Sequence, residues 1–284
     1  VLCYGIVLLV GFYLFHLQHI TMGQLIMFYM LVSYCIQPVL NMVALASQYK
    51  QVSLIYDKYK NFEVDLEKSK CTLDQPITSI RYDDVTYAYG YQLPVLEHID
   101  LNIQHHLWIK GITGSGKTTL LKLLLAEDLA YQGDIYINDL ELRQIDLASL
   151  YEHIGYLNET PTFLHMTLQY NFLCQDEKKI QFYLKTFGQE SLNDMMHIVL
   201  SENGYPLSLG QRQVVALIRI LCRDWDVLIL DEAFSHMDTR LANKILRYLM
   251  KNDEGKIYIM INHQTKIVNK NMECVIIEKG KIKK

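Results

Sequence analysis

The stretch GITGSGKTT at 111–119 is where the chemistry of this chain is most plainly written. It reads Gly111-x-x-x-x-Gly116-Lys117-Thr118 and runs into LLKLLLAE, a sequence suited to a helix. Glycines at 111, 114 and 116 let the backbone curl so that successive N–H groups face one anion. The start of the following helix adds its partial positive charge. Lys117 is expected to reach β- and γ-phosphates, and the Thr118 hydroxyl to ligate Mg²⁺. Ile112, Thr113, Ser115 and Thr119 complete the backbone cradle. The pattern implies binding of a nucleotide through its phosphates.

A second cluster follows in WDVLILDEA, where a short apolar run ends in Asp231 and Glu232. Open α/β sheets place ligands at the carboxyl ends of their strands, so Asp231 should face the phosphate loop. There it would hold Mg²⁺ through water, and Glu232 would polarise the water that attacks the γ-phosphate. Two acids at a strand end are by themselves an ordinary solvated pair. Following a phosphate loop after a buried strand, they point to hydrolysis of a nucleoside triphosphate such as ATP.

The elements that must position these groups occupy the later part of the chain. No Asp, Glu, Lys or Arg precedes Lys50, although the 284-residue chain is only 50% hydrophobic with mean hydropathy +0.06. Residues 1–16 and 24–47 are apolar runs separated by HLQHITMG, and the second is long enough to span a bilayer as a helix. No basic segment precedes the first run, which argues against a cleaved signal peptide. Residues 1–48 are therefore expected to form a transmembrane hairpin, with a buried hairpin of a soluble domain as the alternative. The charges that begin at Lys50 put both ends on the cytoplasmic side. The chain starts at Val1 inside an apolar run, which suggests a piece of a longer protein.

Residues 49–77 read as a helical exit and polar connector, and 78–284 as one α/β domain. RYDDVTYAYGYQLPVLEHIDLNIQ alternates β-formers with turn residues, as an antiparallel subdomain would. LWIKG, WDVLILDEA, KIYIMINH and ECVIIEKGKI are candidate buried strands, and their alternation with helices predicts a mostly parallel core sheet. Trp108 and Trp225 read as core. His16 and His19 flank the apolar turn and read as solvated interfacial residues rather than a metal pair. The six cysteines show no C-x-x-C spacing and read as reduced structural thiols. A net charge of −4 gives no basic field for nucleic acid.

LSLGQRQ at 207–213, LDEAFSHMD at 230–238 and NHQ at 262–264 follow the phosphate loop in the order and spacing of ABC transporter nucleotide-binding domains. Residues 78–284 resemble that family, a P-loop NTPase fold. The resemblance implies that Tyr89, in VTYAYG, stacks on adenine. It implies that Ser208, Gly210 and Gln211 of LSLGQ cap the γ-phosphate held by a second cassette. FSHMD corresponds to the D-loop, and His263 to the switch histidine that joins Glu232 in catalysis. ENGYP resembles the loop that couples to membrane helices. TMGQLIMFYMLVSYCIQPVLNMVALASQYKQVSLIYDKY is similar to the last membrane helix of bacterial exporters of bacteriocins and other peptides.

The resemblance implies an ATP-hydrolysing half-transporter in a bacterial inner or plasma membrane, its cassette cytoplasmic, working as a homo- or heterodimer. The implied cargo is a peptide, with a lipid or hydrophobic drug as the alternative. Two departures carry a different expectation. Glu159 stands where the family has the Mg²⁺-ligating Gln, and can still ligate the metal while adding negative charge beside the triphosphate. Leu209 replaces a glycine of the signature; if that position needs a left-handed backbone or a close approach to phosphate, leucine would impair it, the left-handed conformation costing about 1–2 kcal/mol. A degenerate, slow site in an ATP-binding regulatory subunit is the reading these departures support.

Overall fold

The computed structural model describes residues 2–32, 34, 38, 41–43, 45, 48–50, 52–53, 70–90, 93–252, 255–262 and 272–283. The chain divides into two compact units, Val1–Ser69 and Lys70–Lys284. In the first, helix α1 (Leu2–His16) ends in a turn whose residue Gln18 adopts a φ of 57°. Thr21 and Gln24 then form a reciprocal cap: the Gln24 side chain accepts from Thr21 N at 2.8 Å, and Thr21 Oγ1 accepts from Gln24 N at 3.4 Å. Residues 22–32 are helical, and Leu25 is buried against Gly11, where a Cβ would lie 2.2 Å from Leu25 Cδ1. Glycine is what permits this close approach. Leu9, Phe12, Tyr13, Met27 and Phe28 are exposed on the unit's surface. Among the described residues, no helix is long and apolar enough to cross a membrane.

The second unit holds two sheets. In the smaller, β1 (Ile80–Tyr87) pairs antiparallel with both β2 (Leu96–Ile103) and β4 (Gln132–Ile137), and β5 (Leu140–Glu141) adds an edge. Ile80, Tyr82, Val85 and Tyr87 of β1 are buried on one side. Arg143 fastens the base of this sheet, donating to Asp134, Glu141 and the carbonyls of Tyr131 and Gly133.

The larger sheet runs β10 (Lys281–Lys283), β9 (Glu273–Glu278), β3 (Leu107–Lys110), β8 (Ile257–Ile261), β7 (Val227–Asp231), β6 (Ile154–Leu157). All its pairings are parallel except that of β9 with β10. Every residue of β7 and β8 is buried, as expected of central parallel strands covered on both faces. Alternation decides which core each joins. Val227, Ile229, Ile257 and Ile259 pack in one core with the antiparallel subdomain and with Leu120, Leu124 and Leu150, whereas Leu228, Leu230, Tyr258 and Met260 pack in the other with Phe172, Leu184, Leu217 and Ile245. β9 is less enclosed than its apolar sequence suggests, with Ile277 buried and Ile276 exposed, because only the short β10 lies beyond it.

The helices are α2 (Lys117–Leu124), α3 (Leu147–His153), α4 (Leu168–Asn171), α5 (Glu177–Phe187), α6 (Leu209–Leu221) and α7 (Thr239–Lys251). Asp146, Thr167, Asp176, Ser208 and Asp238 cap α3 to α7 with side-chain oxygens. Because β3, β8 and β7 are parallel neighbours, the loops after Lys110, Ile261 and Asp231 emerge at one edge of the sheet.

Candidate nucleotide site

The loop between β3 and α2 is fixed by conformations that glycine alone adopts freely. Gly111 has φ 155°, and a Cβ there would lie 2.3 Å from Ile277 O. Gly116, at φ 103°, caps α2 with no side-chain hydrogen bond, and a Cβ would lie 2.8 Å from Leu96 Cδ2. Behind the loop, Gly280 N donates to Ser115 O at 3.2 Å, so the β9–β10 turn supports the cradle. Ser115 Oγ is buried and has no hydrogen-bond partner among the described residues. Leaving a buried hydroxyl unsatisfied is unfavourable, and a phosphate oxygen in the curl would satisfy it.

Lys117 is buried and donates to the carbonyls of Gly111 and Ile112, each at 2.9 Å. Burial lowers its pKa, opposed by the charges of Glu232 and Asp231. Its ammonium is thus already aimed over the loop. Tyr89 shares a 3.2 Å hydrogen bond with Thr119 on α2 and packs edge-on against Tyr87. Its ring, 43% exposed, stands beside the cradle and free to take a flat partner.

Asp231 ends β7 almost wholly buried. Burial raises its carboxyl pKa and the neighbouring Glu232 adds to this, while Thr118, Tyr156 and the Lys117 charge favour the ionised form. Oδ2 accepts a long, 3.5 Å bond from Tyr156, and Oδ1 has no partner among the described residues. An orphaned buried carboxylate oxygen beside a hydroxyl suits a hard divalent cation. Among the described residues no group of three His, Cys, Asp or Glu could hold a metal. The remaining ligands of such a cation would be phosphate and water, as is usual for Mg²⁺.

Glu232 has φ 52°, a left-handed conformation that is unusual for a side-chain-bearing residue. Its N–H donates to Ile261 O at 3.0 Å, and its carbonyl accepts from Ser235 at 3.1 Å, so the strain is held from both sides. His263, expected nearby, lies outside the described residues.

The signature residues are arranged differently from the phosphate loop. Ser208 caps α6: its hydroxyl accepts from Gln211 N at 3.2 Å, and Gln211 Oε1 accepts from Ser208 N at 2.9 Å. Leu209 is the first residue of the helix and is not among the positive-φ residues. The expected left-handed strain at Leu209 is therefore absent, because the capping box places it on a helical backbone. Gly210 abuts the His236 carbonyl, where a Cβ would lie 3.0 Å away. Ser208, Gly210, Gln211, His236 and Asp238 line a cavity of about 540 Å³.

Glu159 faces His236 at 3.7 Å rather than joining Asp231 and Thr118. Gln213 holds this region together, donating to Glu159 O and Ser235 Oγ, each at 3.2 Å. Tyr156, Gln213 and Gly280 were not singled out from the sequence. The Ser208-x-x-Gln211 spacing is a readable capping signal; the contacts of Tyr156 and Gly280 depend on how distant segments of the chain come together.

Residues 96–235 match the ABC transporter family. The chain carries an ABC transporter ATP-binding domain. Over 279 residues the chain is 30% identical to the lactococcin-A transport/processing ATP-binding protein LcnC of Lactococcus lactis subsp. lactis, covering 93% of this chain and 39% of that protein. The pediocin PA-1 transport/processing ATP-binding protein PedD of Pediococcus acidilactici is 29% identical, covering 94% and 40%. The chain thus spans well under half the length of these relatives. Among solved structures, a bacterial Atm1-family ABC exporter with ATP bound superposes with TM-score 0.70 at 20% identity, covering 93% of this chain and 49% of that one. That likeness concerns the fold of the ABC cassette.

Proposed function

We propose that this chain is the ATP-hydrolysing part of an ABC exporter that moves a peptide across a bacterial membrane. The relatives named above are transport/processing proteins for bacteriocins, which supports a peptide as cargo. In this reading residues 1–48 belong to the membrane domain, 49–77 connect, and 78–284 form the cassette. The exposed apolar side chains of α1 and 22–32 support a lipid or helix-packed setting.

The observation that carries the reading is the pair of buried oxygens without hydrogen-bond partners among the described residues, Ser115 Oγ in the loop and Asp231 Oδ1 at the end of β7, together with the Lys117 ammonium held over the loop. ATP would lie with its phosphates in the 111–119 cradle and its adenine on Tyr89. Lys117 would exchange its two carbonyl contacts for β- and γ-phosphate oxygens. Thr118 and Asp231 would hold Mg²⁺, which when bound neutralises phosphate charge. Glu159 would reach the same cation only after leaving His236. Glu232 would take a proton from the attacking water, and His263 would contact the γ-phosphate. Ser208, Gly210 and Gln211 would serve the ATP of a second cassette, homologous or identical, across a head-to-tail interface. The helical backbone at Leu209 supports a competent signature over a degenerate one.

The test is phosphate release by the purified full chain with Mg²⁺-ATP, beside Glu232→Gln. Turnover per chain that rises with chain concentration and is lost in the variant supports a dimerising ATPase. ATP binding without turnover at any concentration overturns it in favour of a regulatory subunit.

A further inference from the structure

Three tyrosines tie the small antiparallel sheet to α2 and the segment that follows it. Tyr82, on β1, donates to Leu120 O at 3.1 Å. Tyr87 ends β1 and donates to the Asp128 carboxylate at 2.7 Å, a charge-assisted bond. Asp128 is itself held in place by accepting from Ala130 N at 2.9 Å. Burial and the carboxylate raise the Tyr87 pKa, so this phenol stays protonated and remains a donor. Two residues further on, Tyr89 shares a 3.2 Å hydrogen bond with Thr119 Oγ1. Thr119 is buried in the first turn of α2, beside Thr118 and two residues from Lys117. The Tyr87 and Tyr89 rings cross at 82° with centroids 5.0 Å apart. Tyr89 is thus held at its tip by the phosphate helix and along its side by a ring that is anchored in turn. A tyrosine that only lies flat on a base has no use for its hydroxyl; here the hydroxyl fixes the ring to the helix that opens the phosphate cradle.

We propose that Thr119 and Tyr87 are positioning residues that set the Tyr89 ring before nucleotide arrives, and so give the site its preference for a triphosphate carrying a flat base over a bare triphosphate. The inference rests on the ATP-binding reading above and adds to it the residues that decide base against no base. A half-exposed ring that turned freely would lose rotamer freedom when a base settled on it. A ring already fixed loses little, so more of the stacking interaction appears as affinity. The Thr119 bond also sets the distance between the base platform and the loop, which suits a ligand whose base and phosphates are joined through one sugar. Thr119 acts through Tyr89 at one remove, and Tyr87 does so through its ring contact and its anchor on Asp128.

The full chain is titrated calorimetrically with ATP and, separately, with inorganic tripolyphosphate, which has the phosphates and no base. Tyr89→Phe, which keeps the ring, and Thr119→Val, which keeps the shape, should each weaken ATP about three- to tenfold, the size expected of one hydrogen bond. The double variant should be no weaker than either single one, because both remove the same bond. Tyr87→Phe, which frees the ring from Asp128, should weaken ATP and leave tripolyphosphate affinity unchanged; a general loss of folding would lower both. The proposal fails if Tyr89→Phe binds ATP as the parent does, or if the losses in the double variant add. It fails also if Thr119→Val weakens tripolyphosphate as much as ATP, which would make that hydroxyl a direct phosphate contact. A parent that binds neither ligand overturns the nucleotide reading and this inference with it, whereas a parent that binds ATP no better than its variants overturns the inference alone.

Discussion

The Glu159 carboxylate stands 3.7 Å from the His236 imidazole, joining the turn after β6 to the segment after β7. Gln213 backs both partners, donating to Glu159 O and accepting from His236 N at 3.3 Å. The pair is half exposed, so its own attraction is weak in water. Glu159→Gln keeps the backbone contacts and removes one negative charge beside the expected triphosphate. ATP affinity without Mg²⁺ should rise about two- to fivefold, in keeping with an interaction of up to about 1 kcal/mol. Titration of a fluorescent nucleotide with and without chelator measures this. Equal affinities for variant and parent in both conditions would remove Glu159 from the site.

Lys117 offers a sharper loss. Its ammonium is desolvated before any phosphate arrives, and two carbonyls at 2.9 Å hold it in place. Hydrogen bonds to charged groups contribute about 1.5–3 kcal/mol, so Lys117→Ala should weaken ATP binding by roughly 10- to 150-fold. Removing a buried charge offsets the lost carbonyl contacts, so the nucleotide-free melting temperature should hardly move. Calorimetric titration and thermal melting together check the pair of expectations; a large fall in melting temperature would make Lys117 a structural residue first.

Asp231 should behave in the opposite sense without ligand. Burial and the adjacent Glu232 both disfavour its charge, and Thr118, Tyr156 and Lys117 only partly compensate. Asp231→Asn is expected to raise the nucleotide-free melting temperature while abolishing the extra stabilisation that Mg²⁺ adds to ATP. Thermal melts with ATP plus Mg²⁺ and ATP plus chelator show the difference. Retention of the Mg²⁺ increment in the variant would move the cation elsewhere.

The fold was legible where local sequence decides it. β7 and β8 are apolar because both faces are covered, and Trp108 and Trp225 lie in the core as their contexts implied. The phosphate loop was legible because its geometry demands glycine at fixed spacing. At Leu209 the conditional left-handed cost does not arise, because the cap formed by Ser208 and Gln211 sets a helical backbone there. Tyr156–Asp231 joins the ends of adjacent strands and Ser115–Gly280 joins the phosphate loop to the β9–β10 turn, and no local pattern encodes such long-range contacts. The first expected span lies almost wholly within the described residues as α1, which is not long enough to cross a membrane, whereas part of the second span and the whole of 263–271 fall outside them.

Gly111 and Gly114 separate two requirements within one loop. Both have positive φ, 155° and 79°, but only Gly111 is crowded: its Cβ would meet Ile277 O at 2.3 Å and Ser115 Oγ at 2.5 Å, whereas nothing lies within 4 Å at Gly114. Gly114→Ala therefore incurs the left-handed backbone cost of about 1–2 kcal/mol and little else. Gly111→Ala must in addition push the loop away from β9, which pairs with β3 through Ile109–Val275 and Lys110–Ile276. At about 2–4 °C per kcal/mol for a domain of this size, Gly114→Ala should lower the nucleotide-free melting temperature by roughly 2–8 °C, and Gly111→Ala by more. Gly111→Ala should also lose ATP binding, because the displaced loop carries the N–H groups meant for phosphate. Melting curves and nucleotide titration of the two variants decide the matter. The reverse order of stability would mean that backbone conformation, rather than the Ile277 contact, holds the cradle in place.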